Sequence, residues 1–215
     1  MRKSYFHFES ETVNTITHAL GILFGIIFIP LLIQRSFQHC AAPQIIGVLF
    51  YGVFFMSTFS LSTLYHALRK PRLKLKFRIL DHISIYFFIA ATYTCFVLHY
   101  MFNTKGIILL SLIWLFAVTG SFFKFFYVNR FALVSVISYV FMGLSFLGVR
   151  RSFFANMPHD VILFIYCGAG FYLLGIIFFL WRKWRHHHAL WHLIVLAGSI
   201  CHFKAVWLSV TKHPF

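Results

Sequence analysis

The sequence predicts an all-α membrane protein, built as a bundle of seven transmembrane helices. Hydrophobic residues make up 60% of the 215 residues and charged residues only 11%, whereas a soluble domain carries about 25% charged residues. Because so few polar residues cannot cover a globule in water, the lipid bilayer is the expected solvent. The apolar residues also gather into seven runs, each near the roughly 20 residues that a spanning helix needs.

The seven runs are expected to form seven helices joined by short loops. In chain order they cover Ile16–Ile33, Ile45–Leu68, Ile79–Met101, Ile107–Val128, Phe131–Leu147, Val161–Trp181 and Ala189–Val210. Only Asn129 and Arg130 separate the fourth run from the fifth, which predicts a tight hairpin there. The transmembrane domain is therefore expected over residues 16–210, after a cytoplasmic segment of residues 1–15 and before a short outer tail of residues 211–215.

The basic residues predict the orientation of the bundle. Segments on the side of the N-terminus hold 13 Lys and Arg residues, six of them in the loop Arg69–Arg78, and segments on the opposite side hold 5. The positive-inside rule places the first side in the cytoplasm, so the N-terminus is expected inside and the C-terminus outside. On a soluble protein the net charge of +15 would suggest nucleic acid. In short loops between spans it instead indicates contact with anionic lipid headgroups, so membrane lipids are expected partners and nucleic acid is not.

Polar side chains collect at the cytoplasmic ends of four predicted helices. They are Glu11, Asn14 and His18 at the first helix, Ser62 and His66 at the second, Asp81 and His82 at the third, and His188 and His192 at the seventh. Such groups are costly in a bilayer and are functional candidates by default. Nothing in the hydrophobic pattern requires them to gather at one leaflet.

His188 and His192 have the spacing of a helical metal site. Residues four apart stack on one helical face, so the two imidazoles can share a zinc ion (Zn²⁺). A third histidine from another helix would leave a fourth position open to water, as in catalytic zinc sites, and Asp81 could act there as general base. Asp81 could instead simply face Arg78 of the preceding loop. His202 lies about 15 Å beyond His192 along the helix, and it is expected to make a packed polar contact rather than bind metal.

These residues fall into blocks that occur in a fixed order along nearly the whole chain. The blocks are Glu11-Thr-Val-Asn14-Thr-Ile-Thr-His18, Ser62-Thr-Leu-Tyr-His66, Leu80-Asp81-His82-Ile83, Thr92-Tyr93-Thr94, His188-Ala-Leu-Trp-His192, Gly198-Ser199 and His202-Phe203. In these blocks the sequence resembles the hemolysin III family, the bacterial branch of the progestin and adipoQ receptor (PAQR) superfamily. The resemblance implies a multi-pass protein of the bacterial plasma (inner) membrane with zinc near its cytoplasmic face.

The resemblance also implies roles for individual residues. His66, His188 and His192 would be the zinc ligands, Asp81 would hold the zinc-bound water, and Ser62 would lie beside it. A further likeness to membrane-embedded ceramidases implies hydrolysis of a lipid amide or ester, with Asp81 as general base and Ser62 as a positioning group.

Two functions from different classes stay open. The first is this zinc-dependent membrane lipid hydrolase. The second is a non-enzymatic membrane regulator or receptor-like protein, in which a structural zinc ties the second and seventh helices together. A lytic pore, which the family name suggests, ranks last, because the chain has no amphipathic segment or soluble domain that would give it a soluble form.

Overall fold

The fold is seen in a computed structural model that describes residues 2–128, 130–181 and 187–212. Over these residues the chain is helical apart from short connections, without strands. The helices are α1 (Arg2–His39), α2 (Ala42–Ala67), α3 (Pro71–Tyr100), α4 (Thr104–Tyr127), α5 (Ala132–Gly143), a 3₁₀ turn (Ser145–Val149), α6 (Arg150–Phe154), α7 (His159–Leu180) and α8 (His187–Lys212).

Seven stretches of the described chain are long and apolar enough to cross a membrane. Six are α1 to α4, α7 and α8, and the seventh is Leu133–Phe154, which joins α5, the 3₁₀ turn and α6. The predicted seven-span bundle is confirmed. The orientation of the termini and the bounds of the end segments stay predictions, and the last residues of the predicted tail, 213–215, lie outside the described residues.

The third and fifth spans differ in extent from the prediction. α3 begins at Pro71, with proline in its first turn, where the missing N–H has no helical partner to lose. Most of the predicted basic loop therefore belongs to α3. The fifth span continues to Phe154 instead of ending at Leu147, and the connection before it is as short as predicted, since α4 ends at Tyr127 and α5 begins at Ala132.

A tyrosine from α3 stabilises the break in the fifth span. α5 ends at Gly143, and the Tyr93 hydroxyl donates to the Gly143 carbonyl oxygen at 2.9 Å. The same hydroxyl accepts from the Phe146 backbone N–H at 3.1 Å. Unpaired backbone groups are costly inside a bilayer, and this one side chain satisfies two of them at the break.

The packing order of the helices brings the two ends of the chain together. α8 packs against both α7 and α1, α1 packs against α2, and α3 packs between α2 and α4. α3 is the central helix: 72% of its most apolar stretch is buried, against at most 50% in the other spans. The start of α1, the end of α2 and the start of α8 therefore meet at one end of the bundle.

Two glycines set the close approach of α7 and α8. A Cβ atom on Gly168 would lie 3.0 Å from the Gly198 carbonyl oxygen, and one on Gly198 would lie 3.1 Å from that of Gly168. Small residues at facing positions let transmembrane helices come into backbone contact. This contact fixes the position of α8, which carries two of the candidate ligands.

Candidate metal centre

Four histidines from three helices meet at the end of the bundle where α1 and α8 begin. They are His18 of α1, His66 of α2, and His188 and His192 of α8. The ring centroid of His192 lies 4.0 Å from that of His18, 5.0 Å from that of His66 and 4.3 Å from that of His188. Imidazole nitrogens that converge from separate helices are typical metal ligands, so this group could hold a metal ion.

The tightest group of nitrogen atoms differs from the ligand set expected from the sequence. Ring nitrogens of His18, His66 and His192 lie within 4.8 Å of one another, and all three residues are buried. His188, the third predicted ligand, is less buried, and its ring centroid lies 5.5 Å from that of His66. The structure brings all three predicted ligands together and adds His18, so the exact ligand set stays a prediction.

Glu11 of α1 contacts the Nδ1 atom of the His66 ring. Its carboxylate oxygen Oε2 lies 2.8 Å from His66 Nδ1 and 3.2 Å from the Lys74 ammonium group. Lys74 also donates to the Tyr65 carbonyl oxygen at 3.1 Å. Lys74, at the start of α3, thus contacts both Glu11 of α1 and Tyr65 of α2, next to the histidine cluster.

The unpartnered nitrogens of the cluster fit a metal ion. His18 Nε2 lies 2.6 Å from His192 Nδ1, and Glu11 contacts His66 Nδ1. One ring nitrogen of His66 on α2 and one of His192 on α8 are therefore hydrogen-bonded. Among the described residues, the other nitrogen, Nε2, of His66 and of His192 is buried without a hydrogen-bond partner. A buried polar atom left in this way costs about 1–3 kcal/mol and calls for an explanation. A divalent cation bound by the lone pairs of both Nε2 atoms would explain why these atoms have no other partner.

Ser62 and Asp81, the predicted catalytic pair, lie together beside the cluster. The Ser62 hydroxyl lies beside the Asp81 carboxyl group, and both His66 and Arg78 lie within electrostatic range of that carboxyl. Ser62 is 2% exposed. The sequence left Arg78 open as an alternative partner of Asp81, and in the structure Arg78 is one of several groups near that carboxyl. The structure thus brings the pair to the site, and its catalytic roles stay predictions.

A cavity of about 230 Å³ is lined in part by this pair. Its cluster end is lined by His18, Ser62 and Asp81, and its walls come largely from apolar side chains of α3, α5, α7 and α8. Lys124 of α4, which is 0% exposed, also lines it. His202 lies on the far wall, where its Nε2 is 3.3 Å from the Ile165 carbonyl oxygen, in agreement with the packed polar contact expected from the sequence.

Sequence reasoning placed Glu11, Asn14 and His18 at the correct end of the bundle but assigned them no role. Asn14 and His18 are both 4% exposed, although only 33% of the most apolar stretch of α1 is buried. Glu11, Asn14 and His18 share one helical face at positions i, i+3 and i+7, and this spacing was the available signal. Their partners on α2 and α8 could not be read from that spacing.

Comparison with known proteins gives one consistent answer over nearly the full chain. The family model described as haemolysin-III related matches residues 6–203. The chain is 36% identical over 202 residues to "Hemolysin-3" of Bacillus cereus, covering 94% of this chain and 92% of that protein. It is 34% identical over 210 residues to "Hemolysin-3 homolog" of Bacillus subtilis (strain 168), covering 98% and 99%.

A more distant relative comes from animals. The chain is 29% identical over 210 residues to "Monocyte to macrophage differentiation factor" of Homo sapiens, covering 95% of this chain and 86% of that protein. No solved structure matches the chain.

Proposed function

The chain belongs to the haemolysin-III related family, and from that premise we propose that it is a zinc-dependent membrane hydrolase of lipid amides or esters. The observation that carries the proposal is the pair of buried, unpartnered Nε2 atoms of His66 and His192. They lie next to the Ser62–Asp81 pair, at the end of an apolar cavity. Metal ligands, a carboxylate and space for an alkyl chain are the parts that such a reaction needs.

Among metal ions without redox chemistry, zinc is the one that a set of imidazole nitrogens suits best. His66 and His192 would bind through Nε2, and His188, whose ring contacts both, would be the third ligand. Imidazole nitrogens suit zinc, copper, iron and nickel, whereas magnesium and calcium prefer oxygen. When bound, the ion would polarise a substrate carbonyl and acidify a water molecule.

Asp81 would move the proton in this reaction. Its carboxylate, which the Ser62 hydroxyl beside it would hold, would accept a proton from the attacking water and return it to the leaving amine or alcohol. Ser62 would act as a positioning group, because its hydroxyl donates to the carboxylate and so fixes the oxygen that takes the proton.

The cavity would hold the acyl chain of the substrate. Its side walls include Phe88 and Ile89 of α3 and Leu173 and Ile176 of α7, and Ser62 and Asp81 line its cluster end. An amphipathic lipid would therefore place its chain along α5 and α7 and its amide or ester bond beside Asp81. Lipids of the surrounding membrane are thus the proposed substrates and partners.

One observation favours the alternative function, a membrane regulator with a structural metal. The histidine cluster joins α1, α2 and α8 through side chains far apart in sequence, so a metal there would also tie three helices together. The lytic pore has no comparable support in the site and is ranked last.

The test is lipid hydrolysis by wild-type protein in nanodiscs, loaded with zinc and verified by metal analysis. The substrate panel should include N-acyl sphingosines, N-acyl amines, monoacylglycerols and lysophospholipids. We expect release of fatty acid from at least one class, abolished by a chelator and restored by zinc. Asp160→Asn is the matched control, because Asp160 lies at the other end of the bundle and pairs with Lys212 at 3.8 Å. A fully loaded protein that hydrolyses none of them would rule out the enzyme and leave the regulator.

A further inference from the structure

Two side chains on one face of α1 each contact a candidate ligand on a different helix. Glu11 and His18 are seven residues apart, close to two helical turns, so they project from the same face of α1. Glu11 reaches His66 on α2 at 2.8 Å, and His18 reaches His192 on α8 at 2.6 Å. Both contacts are made by Nδ1 of the candidate ligand, and both leave its Nε2 directed elsewhere.

The Glu11 contact determines which nitrogen of His66 carries the proton. A carboxylate only accepts hydrogen bonds, and Lys74 at 3.2 Å stabilises its charged form. His66 Nδ1 must then carry the hydrogen and donate it. In a neutral imidazole this leaves Nε2 with a lone pair and no hydrogen, and that atom is the buried nitrogen without a partner in the described structure.

The His18 contact does the same for His192. If His18 donated the hydrogen, neutral His192 would carry its own hydrogen on Nε2, buried and without an acceptor among the described residues, at a cost of about 1–3 kcal/mol. If His192 Nδ1 donates instead, its Nε2 is a free lone pair and His18 carries a hydrogen on Nδ1, which is also buried without a partner among the described residues. Asn14 Oδ1, a buried acceptor one turn earlier on α1, has no partner in the described structure either. Only this second tautomer gives α1 a donor on the same face as that acceptor, and this favours His192 Nδ1 as the donor.

We propose that Glu11 and His18 are positioning residues, which hold His66 and His192 in the tautomer and orientation that bind metal through Nε2. Protein carboxylates and other acceptors on the far nitrogen of ligating histidines are a general feature of metal sites. His18 is then not a ligand, although its nitrogens lie within 4.8 Å of the others, because its Nε2 lone pair accepts the hydrogen bond from His192. This inference rests on the metal-binding part of the proposed function.

The test is the affinity and stoichiometry of metal binding, measured on full-length protein in nanodiscs. The metal is removed by chelation, and Zn²⁺ or Co²⁺ is titrated back against a competing chelator, with the visible absorption bands of Co²⁺ recording the geometry. Four variants are compared with wild type: Glu11→Leu, Glu11→Gln, His18→Leu and His18→Gln. His202→Leu is the matched control, since it removes a half-buried imidazole of α8 outside the cluster.

We expect Glu11→Leu and His18→Leu each to weaken binding by about 10- to 100-fold, the usual effect of removing such a partner, while one metal per chain still binds at saturation. Glu11→Gln and His18→Gln should recover most of the affinity, because an amide oxygen of similar reach can accept the same hydrogen bond. His202→Leu should leave the affinity and the Co²⁺ spectrum unchanged.

Two results would overturn the inference. Loss of the bound metal in His18→Gln would make His18 a ligand, because an amide replaces imidazole poorly in a metal site, and this variant decides the question even if His18→Leu does not fold. Unchanged affinity in Glu11→Leu and His18→Leu would reduce both residues to a packing role. Wild-type protein that binds no metal would refute the proposed function as well, whereas loaded wild-type protein without hydrolase activity would leave the inference intact.

Discussion

Replacing Asp81 with asparagine separates the enzyme from the regulator. Asparagine keeps the size of the side chain and one oxygen that can accept from Ser62, but it removes the basicity. Asp81 is not part of the group of close nitrogens that could hold the metal. Asp81→Asn is therefore expected to fold, bind zinc as wild type does, and lose turnover.

The size of the loss follows from the role of the carboxylate. General-base assistance contributes about 10²–10⁴-fold, equivalent to about 3–5 kcal/mol of transition-state stabilisation. Ser62→Ala should cost less, because it removes a single hydrogen bond to a charged group, worth about 1.5–3 kcal/mol. That corresponds to a fall in turnover of about 10- to 100-fold. We therefore also predict that Asp81→Asn has lower turnover than Ser62→Ala.

The assay is release of labelled fatty acid under single-turnover conditions, with metal content measured on the same samples. Asp160→Asn, at the opposite end of the bundle, should match wild type. A zinc-loaded Asp81→Asn protein that retains wild-type turnover would refute the general-base role. If that variant loses the metal together with its activity, Asp81 is a ligand and the site is a closed one.

Three further predictions concern the site, the topology and the break in the fifth span. Replacing any one of the three predicted ligands with alanine should remove most of the zinc, because two imidazoles bind far more weakly than three, and His202→Ala should keep it. Metal analysis that showed the reverse for His66→Ala and His202→Ala would disprove the assignment. Reporter fusions should place the N-terminus in the cytoplasm and the C-terminus outside, and termini found on one side would contradict the seven-span topology. Tyr93→Phe should lower the free energy of unfolding by about 1–3 kcal/mol, since it strands two backbone groups at the break after α5. Thermal unfolding in detergent would measure this against Tyr127→Phe, an exposed tyrosine of α4, and equal stability would show that water satisfies the break.

Local features of the sequence were sufficient for the spans but not for their irregularities. The run Phe131–Leu147 contains no charged residue and no proline, so composition predicts one continuous helix there. The break after Gly143 depends on the Tyr93 hydroxyl, which arrives from another helix. The early start of α3 at Pro71 was missed because its first turns are basic. Hydrophobicity detects the part of a helix that lies in the bilayer, and it does not detect turns of the same helix that extend beyond it.

The sequence by itself determined the class of the protein, the number of spans and the gathering of polar residues at one end of the bundle, because each depends on composition and on the position of residues along the predicted spans. It also predicted the His188–His192 pair, since helical geometry alone puts residues four apart on one face. Only the tertiary structure decided which side chains meet between helices. His18 and His192 are 174 residues apart, and Glu11 and His66 are 55 apart. The packing of α1 between α2 and α8 brings both pairs together, and no periodicity within one segment encodes that arrangement.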